Sequence, residues 1–254
     1  MPAPDSTDST APDLDALEEL LRTSDLHVVG RMPWSSNATL LCELRPQGDT
    51  DEPDDADAEV FGRAIYKPHR GERPLWDFPD GLYRREVAAY RLARALGWDL
   101  VPPTVERDGP FGVGSVQWFV DADFDRHYFE LLEDDGTHDQ LRRMAAFDVV
   151  ANSTDRKGGH VLADGGGHLW GIDNGLSFHA EFKLRTVIWD FAGEPLPAEL
   201  AEDLDRIACG LPRDLADLLD PFERDALATR ARALLSEGRL PLDPTGRRYP
   251  WPLV

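Results

Sequence analysis

The chain has 254 residues, 41% of them hydrophobic, with 27 basic against 48 acidic side chains and a net charge of −21. That suffices for one generous domain or for two lobes around a cleft. The acidic balance argues against nucleic acid and anionic lipid as partners, and no apolar run approaches the roughly 20 residues that span a bilayer.

The opening MPAPDSTDSTAPD lacks the basic start and apolar core of a signal peptide. Residues 1–12 are Ser/Thr/Asp/Pro-rich and are predicted to be disordered. Asp13 reads as the cap of a helix with Leu14, Leu17, Leu20 and Leu21 on its apolar face. Strands are predicted over Leu26–Met32, Ala38–Leu44 and Val60–Tyr66, with Pro33 to Asn37 joining the first two. Residues 46–59 form an acidic loop. A helix is predicted over Gly81–Leu96 and stops at Gly97. Two further strands are expected over Val101–Val105 and Gly114–Val120, turning at Arg107-Asp108-Gly109-Pro110. The acidic stretch after Val120 gives no clear element. Gln140–Ala151 reads as a helix with Leu141, Met144, Phe147, Val150 and Ala151 inward. From Pro197 the chain is helical, and the aromatic, proline-locked tail at 247–252 is expected to dock on the body. Cys42 and Cys209 lie far apart without metal spacing, which suits free thiols and a cytoplasmic location.

The chemistry concentrates in NSTDRKGGHVLADGGGHLWGID, residues 152–173. Two apolar runs (Val161, Leu162 and Leu169, Trp170, Ile172) flank Asp164 and three glycines, which reads as a hairpin whose glycines supply positive φ angles. Such a hairpin brings Asp155, His160 and Asp173 to one volume. Two carboxylates and a nitrogen ligand suit a divalent metal, and a metal beside a charged loop suits phosphoryl transfer. The segment therefore reads as the catalytic and metal-binding hairpin of a kinase-like fold.

The wording Asn152-Ser153-Thr154-Asp155-Arg156 resembles the N-T-D-R loop of phosphatidylinositol 3-/4-kinases and their distant bacterial relatives. Together with RMPWSSNATLL, AIYKP, YRREVAAYRLARALGW, NSTDRKGGH, GIDNGLSFH and RRYPWPLV, it resembles an uncharacterised, mainly actinobacterial family related to those lipid kinases. The resemblance implies an α+β, two-lobed protein-kinase-like fold. Its N-lobe, residues 13–120, would be an antiparallel sheet plus the Glu86 helix. Its C-lobe, residues 121–254, would be mostly helical.

Within that fold each residue has an expected role. Ser35, Ser36 and Asn37, with backbone N–H groups, would roof the phosphates; an ordinary turn is the alternative, because no glycine-rich pattern is present. Lys67 would hold phosphate oxygens. Only three of the 27 basic residues are lysine (Lys67, Lys157, Lys183), and lysine and arginine do not interchange at a phosphate site. Glu86 would pair with Lys67, and Gln117, Trp118, Phe119 and Val120 would face adenine. Asp155 would orient or deprotonate the acceptor hydroxyl. Arg156 or Lys157 would neutralise developing charge or anchor the loop. Asp173 and His160 would hold the metal. Imidazole is a poor magnesium ligand and a better one for manganese or zinc, so either the metal preference differs or a second metal is weak or absent.

The expected function is ATP- and Mg²⁺- or Mn²⁺-dependent phosphotransfer to a protein or small-molecule hydroxyl, with a lipid acceptor disfavoured. The alternatives are a nucleotide-binding pseudokinase or regulator, an AMP transferase on the same fold, and a non-enzymatic scaffold.

Overall fold

The computed structural model describes residues 13–33, 37–48 and 59–254. Asp13 caps α1 (Leu14–Thr23), its carboxylate accepting from the Asp15 and Ala16 amides at 3.1 and 3.3 Å. Strands β1 (Asp25–Arg31), β2 (Leu40–Arg45), β3 (Gly62–Pro68), β4 (Thr104–Gly109) and β5 (Gly112–Trp118) form an antiparallel sheet of order β1-β2-β3-β5-β4. Alternation puts Cys42, Leu44, Ala64, Tyr66, Val105 and Val116 on one face, where Leu21 of α1 completes their core. Lys67 follows Tyr66 and so points to the other face, toward α2 (Leu82–Leu96).

The β4–β5 hairpin departs from the sequence reading. β4 begins at Thr104 instead of Val101, because Pro102 and Pro103 have no N–H for a ladder. The strands pair out to Gly109 and Gly112, leaving Pro110-Phe111 as the turn. Extra glycines let the ladder run past the expected bend; Gly112 takes φ +95°.

The second half holds α3 (Tyr128–Leu132), α4 (His138–Ala151), the hairpin β6 (Val161–Ala163) and β7 (Leu169–Gly171), α5 (Ala198–Cys209), α6 (Arg213–Ala216) and α7 (Pro221–Glu237). Leu141, Met144, Phe147 and Val150 of α4 pack with Leu204 and Ile207 of α5, Leu227 and Leu234 of α7, and Val161 and Leu169 of the hairpin. Leu92 and Leu96 of α2 join the same core, so this helix belongs to both halves. The hairpin needs less glycine than expected. Gly167 alone in its turn has positive φ (+81°), and the Asp164 carboxylate shapes the rest by accepting from the Gly166 and His168 amides at 2.9 and 3.0 Å.

The tail docks on the body. Arg248 O accepts from the Thr186 amide at 3.1 Å, and Leu253 O from the Gly158 amide at 2.7 Å. Among the described residues no helix is long and apolar enough to cross a membrane.

Candidate functional site

A cleft of about 460 Å³ lies between the sheet and the β6–β7 hairpin, and Lys67, Glu86, Asp155, Lys157, His160 and Asp173 all line it. β3 delivers Lys67 and α2 delivers Glu86, whose Oε1 accepts from the Lys67 ammonium. The same ammonium donates to Asp173 Oδ1 at 2.7 Å. The other Glu86 oxygen accepts from the Asn174 amide at 2.9 Å. One glutamate thus ties α2 to the strand lysine and to the loop after β7.

Asp173 adopts φ +57°. Aspartate tolerates this left-handed conformation better than most residues, and it turns the chain sharply between Ile172 and Asn174. Lys67 holds the Asp173 carboxyl well below the usual carboxylate range, with burial opposing and His160 adding to the pull. Burial opposes the charge on Lys67, but Asp173 and Glu86 outweigh it and keep the ammonium above its ordinary value. His160 Nε2 lies 3.4 Å from Asp173 Oδ2. Burial brings the imidazole down to about 4, so it is neutral at neutral pH. Burial also raises the Asp155 carboxyl, against the nearby Lys157 at 3.1 Å and Arg185.

Arg156 does not enter the cleft. It is 2% exposed and forks onto Asp148, with Nε 3.0 Å from Oδ1; it also donates to Ile172 O at 2.8 Å and Asn174 Oδ1 at 2.7 Å. This corrects the expectation that Arg156 compensates charge in the cleft and leaves the other one, anchoring the loop. Its charge is consumed in fixing the loop, so it acts as a positioning residue.

Lys183 is not among the residues that line the cleft. Its Nζ donates to Asp77 O at 3.2 Å. Ser35 and Ser36 lie outside the described residues. Asn37 lines the cleft, and its Oδ1 accepts from the Arg73 amide at 3.0 Å.

The segment expected to face adenine borders a different cavity. Trp118, Phe119 and Val120 line a space of about 380 Å³ with Leu17, Arg63 and Trp170. The Trp118 ring fills the place where a Cβ on Gly62 would sit. The Gln117 side chain is buried and donates to Thr104 Oγ1 at 2.9 Å, joining β5 to β4 instead of facing a ligand. Ile172 packs on the Val120, Leu162 and Trp170 cluster and directly precedes Asp173, so the two cavities adjoin.

Three important residues were assigned no role from the sequence. Asp148 is fully buried and accepts from Arg156, Ser153 Oγ (2.8 Å) and Thr186 Oγ1 (2.9 Å). An acid between Phe147 and Val149 of an apolar helix was the available clue. Asn152, with φ +56°, closes α4; its amide donates to His179 O and Glu181 O at 2.8 and 2.7 Å, clamping the segment after Asp173. Glu72 caps α2 by accepting from the Leu82 and Tyr83 amides at 2.9 and 2.7 Å.

No family model matches the chain. It is 39% identical to protein Rv2133c of Mycobacterium tuberculosis, over 92% of this chain and 94% of that one. Among solved structures, the Golgi casein kinase superposes with a TM-score of 0.53 at 14% identity, over 89% of this chain and 75% of that chain. Its form with Mn and ADP bound gives 0.55 at 14% identity, over 96% and 81%. Hydra Fam20 with sugar gives 0.52 at 13% identity, over 90% of each chain. At such identities the likeness shows the fold: α+β, two-lobed and protein-kinase-like.

Proposed function

We propose that this chain, which belongs to the family of protein Rv2133c of Mycobacterium tuberculosis, is an ATP- and divalent-metal-dependent phosphotransferase acting on a protein or small-molecule hydroxyl. The observation that carries the reading is one ammonium, Lys67, held between a helix carboxylate and the carboxylate after the hairpin. That arrangement prepares a fixed cation for phosphate oxygens in a cleft large enough for a nucleotide. On this reading the boundary between the lobes falls between residues 120 and 121.

The donor set fits a divalent cation. Asp173 Oδ2 is a hard anionic oxygen, and His160 is a neutral imidazole beside it; this pair suits manganese better than magnesium. The Golgi casein kinase binds Mn and ADP on the same fold. Bound there, the cation would neutralise charge on the phosphates. Lys67 steadies phosphate oxygens, Asp155 takes the hydroxyl proton, and Lys157 balances Asp155. The raised Asp155 carboxyl is a better base than an ordinary aspartate.

The adenine edge would meet the chain just after β5. Pro103 opposes Trp118 and has no N–H to give to its carbonyl, while the Trp118 amide donates to Pro103 O at 2.8 Å. Among the described residues the Val120 amide makes no backbone hydrogen bond. The finer relation to phosphatidylinositol 3-/4-kinases rests on the Asn152–Arg156 wording. The net charge of −21 disfavours a membrane lipid as acceptor, and the free thiols suit the cytoplasm.

The test uses ATP labelled at the γ-phosphate, with Mg²⁺ or Mn²⁺ and a cell lysate as acceptor source. Label should move to an acceptor, and Lys67→Ala should slow the transfer about 10²–10³-fold. No transfer by the wild-type chain, or equal transfer by K67A, overturns the activity. A nucleotide-binding regulator is the second reading, favoured by His160 at a metal-ligand position. It predicts nucleotide binding without turnover. Transfer of label from the α-phosphate instead would identify an AMP transferase.

A further inference from the structure

Arg156 and Lys157 follow Asp155 in the chain, Lys183 and Arg185 lie on the segment bonded alongside Asn152 and Ser153, and three of these four are already engaged. Arg156 is buried on Asp148, Lys157 lies on Asp155, and Lys183 reaches Asp77. The fourth, Arg185, is exposed, and among the described residues its guanidinium has no hydrogen-bond or ion-pair partner. In a chain with 48 acids against 27 bases, an unpaired arginine beside a catalytic carboxylate calls for a reason.

The root of this side chain is rigid. The Arg185 amide donates to Ser153 O at 2.9 Å, and its carbonyl accepts from the Arg156 amide at 3.0 Å. These bonds straddle Asp155, so residue 185 sits abreast of Thr154 and Asp155, about one strand spacing (~4.8 Å) away. On the far side, Thr186 is held by Arg248 O at 3.1 Å. The catalytic loop and the tail therefore fix Arg185 from both flanks. Its charge reaches Asp155, where it opposes the effect of burial.

We propose that Arg185 binds a phosphate or carboxylate group carried by the acceptor close to its reacting hydroxyl. This names the substrate class of the phosphotransferase reading and rests on it. A guanidinium grips two oxygens of such a group at once. Repulsion from the acidic surface is screened beyond about 8 Å at physiological ionic strength, so a fixed cation at the site decides whether an anionic acceptor stays. In the transfer, the acceptor oxygen bonds to the γ-phosphorus while the bond from that phosphorus to the β–γ bridging oxygen breaks. ADP leaves with that electron pair, and the hydroxyl proton passes to Asp155 and then to water. The acceptor's own anion undergoes no bond change and remains on Arg185.

The test follows the arginine Nε resonances of the full chain, labelled with ¹⁵N, the Arg185 signal being identified by its loss in Arg185→Gln. Ribose 5-phosphate and tartrate serve as the phosphate and carboxylate probes, with ribose and glycerol as neutral controls. The Arg185 signal should shift saturably with at least one anionic probe and with neither control. R185Q should bind that probe at least 10-fold more weakly, with R185K between them. No shift with either anion, or equal binding by R185Q, overturns the proposal. Binding at Arg185 without any transfer of γ-label removes the phosphotransferase reading and leaves the anion site. Transfer to a neutral acceptor with the same KM in R185Q does the reverse.

Discussion

Asp155 sits where its own charge is disfavoured. Burial raises its carboxyl, and Lys157 at 3.1 Å offsets that only in part. A carboxyl raised on folding stabilises the protein while protonated, and that contribution is lost as pH rises through the folded value. Ionised Asp155 is therefore a net cost at pH 7. Asp155→Asn should melt at or above the wild-type temperature at pH 7, the gain vanishing by pH 3, below the ordinary aspartate value of about 3.9. Its transfer rate should fall about 10²–10⁴-fold. A melting temperature well below wild type at both pH values would mean the carboxylate serves the fold. Asp173 has the opposite sign: its depressed carboxyl adds stability above about pH 4, which is lost as pH falls. Asp155 and Asp173 were legible in the sequence because each stands in a short motif. Which of its two expected roles Arg156 takes was not, because Asp148 was needed to show that its charge is buried.

At the scale of elements, α2 decides whether Lys67 is aimed. Gly81 precedes the helix at φ +85° and has no side chain to cap it. Glu72 does so from ten residues before Leu82, through two amide hydrogen bonds. Further along, Arg85 forms a buried ion pair with Glu223 of α7 and donates to Ser177 O at 3.1 Å. Glu86 is the next residue, four positions or about one turn past Leu82. Glu72→Ala should cost about 1 kcal/mol in urea unfolding, as capping losses do, and should slow transfer less than K67A. An unchanged urea midpoint would show that the cap contributes nothing. The helix itself was readable from Leu82, Val87, Leu92, Leu96 and the Gly97 stop. Its cap was not, since Glu72 lies in an irregular loop outside any local capping pattern.

Across the whole molecule, the sheet and the helical half meet along α2 and around the cleft. Lys67 and Glu86 reach Asp173 and Asn174, and Leu14 of α1 packs with Val120, Leu162 and Trp170. A nucleotide spanning this cleft would contact both halves and stabilise them together. At about 100 times its dissociation constant a ligand adds roughly 2.7 kcal/mol. For a domain of this size that is a rise in Tm of about 5–10 °C. Mn²⁺ with ADP should give such a rise, and Lys67→Ala should reduce it by more than half. The absence of any shift in the wild-type chain would remove nucleotide binding from the reading.

Motif order by itself placed Lys67, Glu86, Asp155, His160 and Asp173 around one cleft, because each lies in a short stretch whose strand, helix or hairpin is set by local pattern. Periodicity likewise gave α1, α2 and α4 and the inward face of each. The tertiary structure alone decided which charges remain available. Arg156 is spent on Asp148 and Lys183 on Asp77, while Arg185, among the described residues, stands free beside Asp155. It also turned Gln117 into a link between strands and gave Trp118, Phe119 and Val120 a cavity of their own. The physical reason is that a charged side chain takes its role from the partner atoms it meets. Asp77 and Lys183 lie 106 positions apart and Arg85 and Glu223 138, beyond the reach of any local pattern.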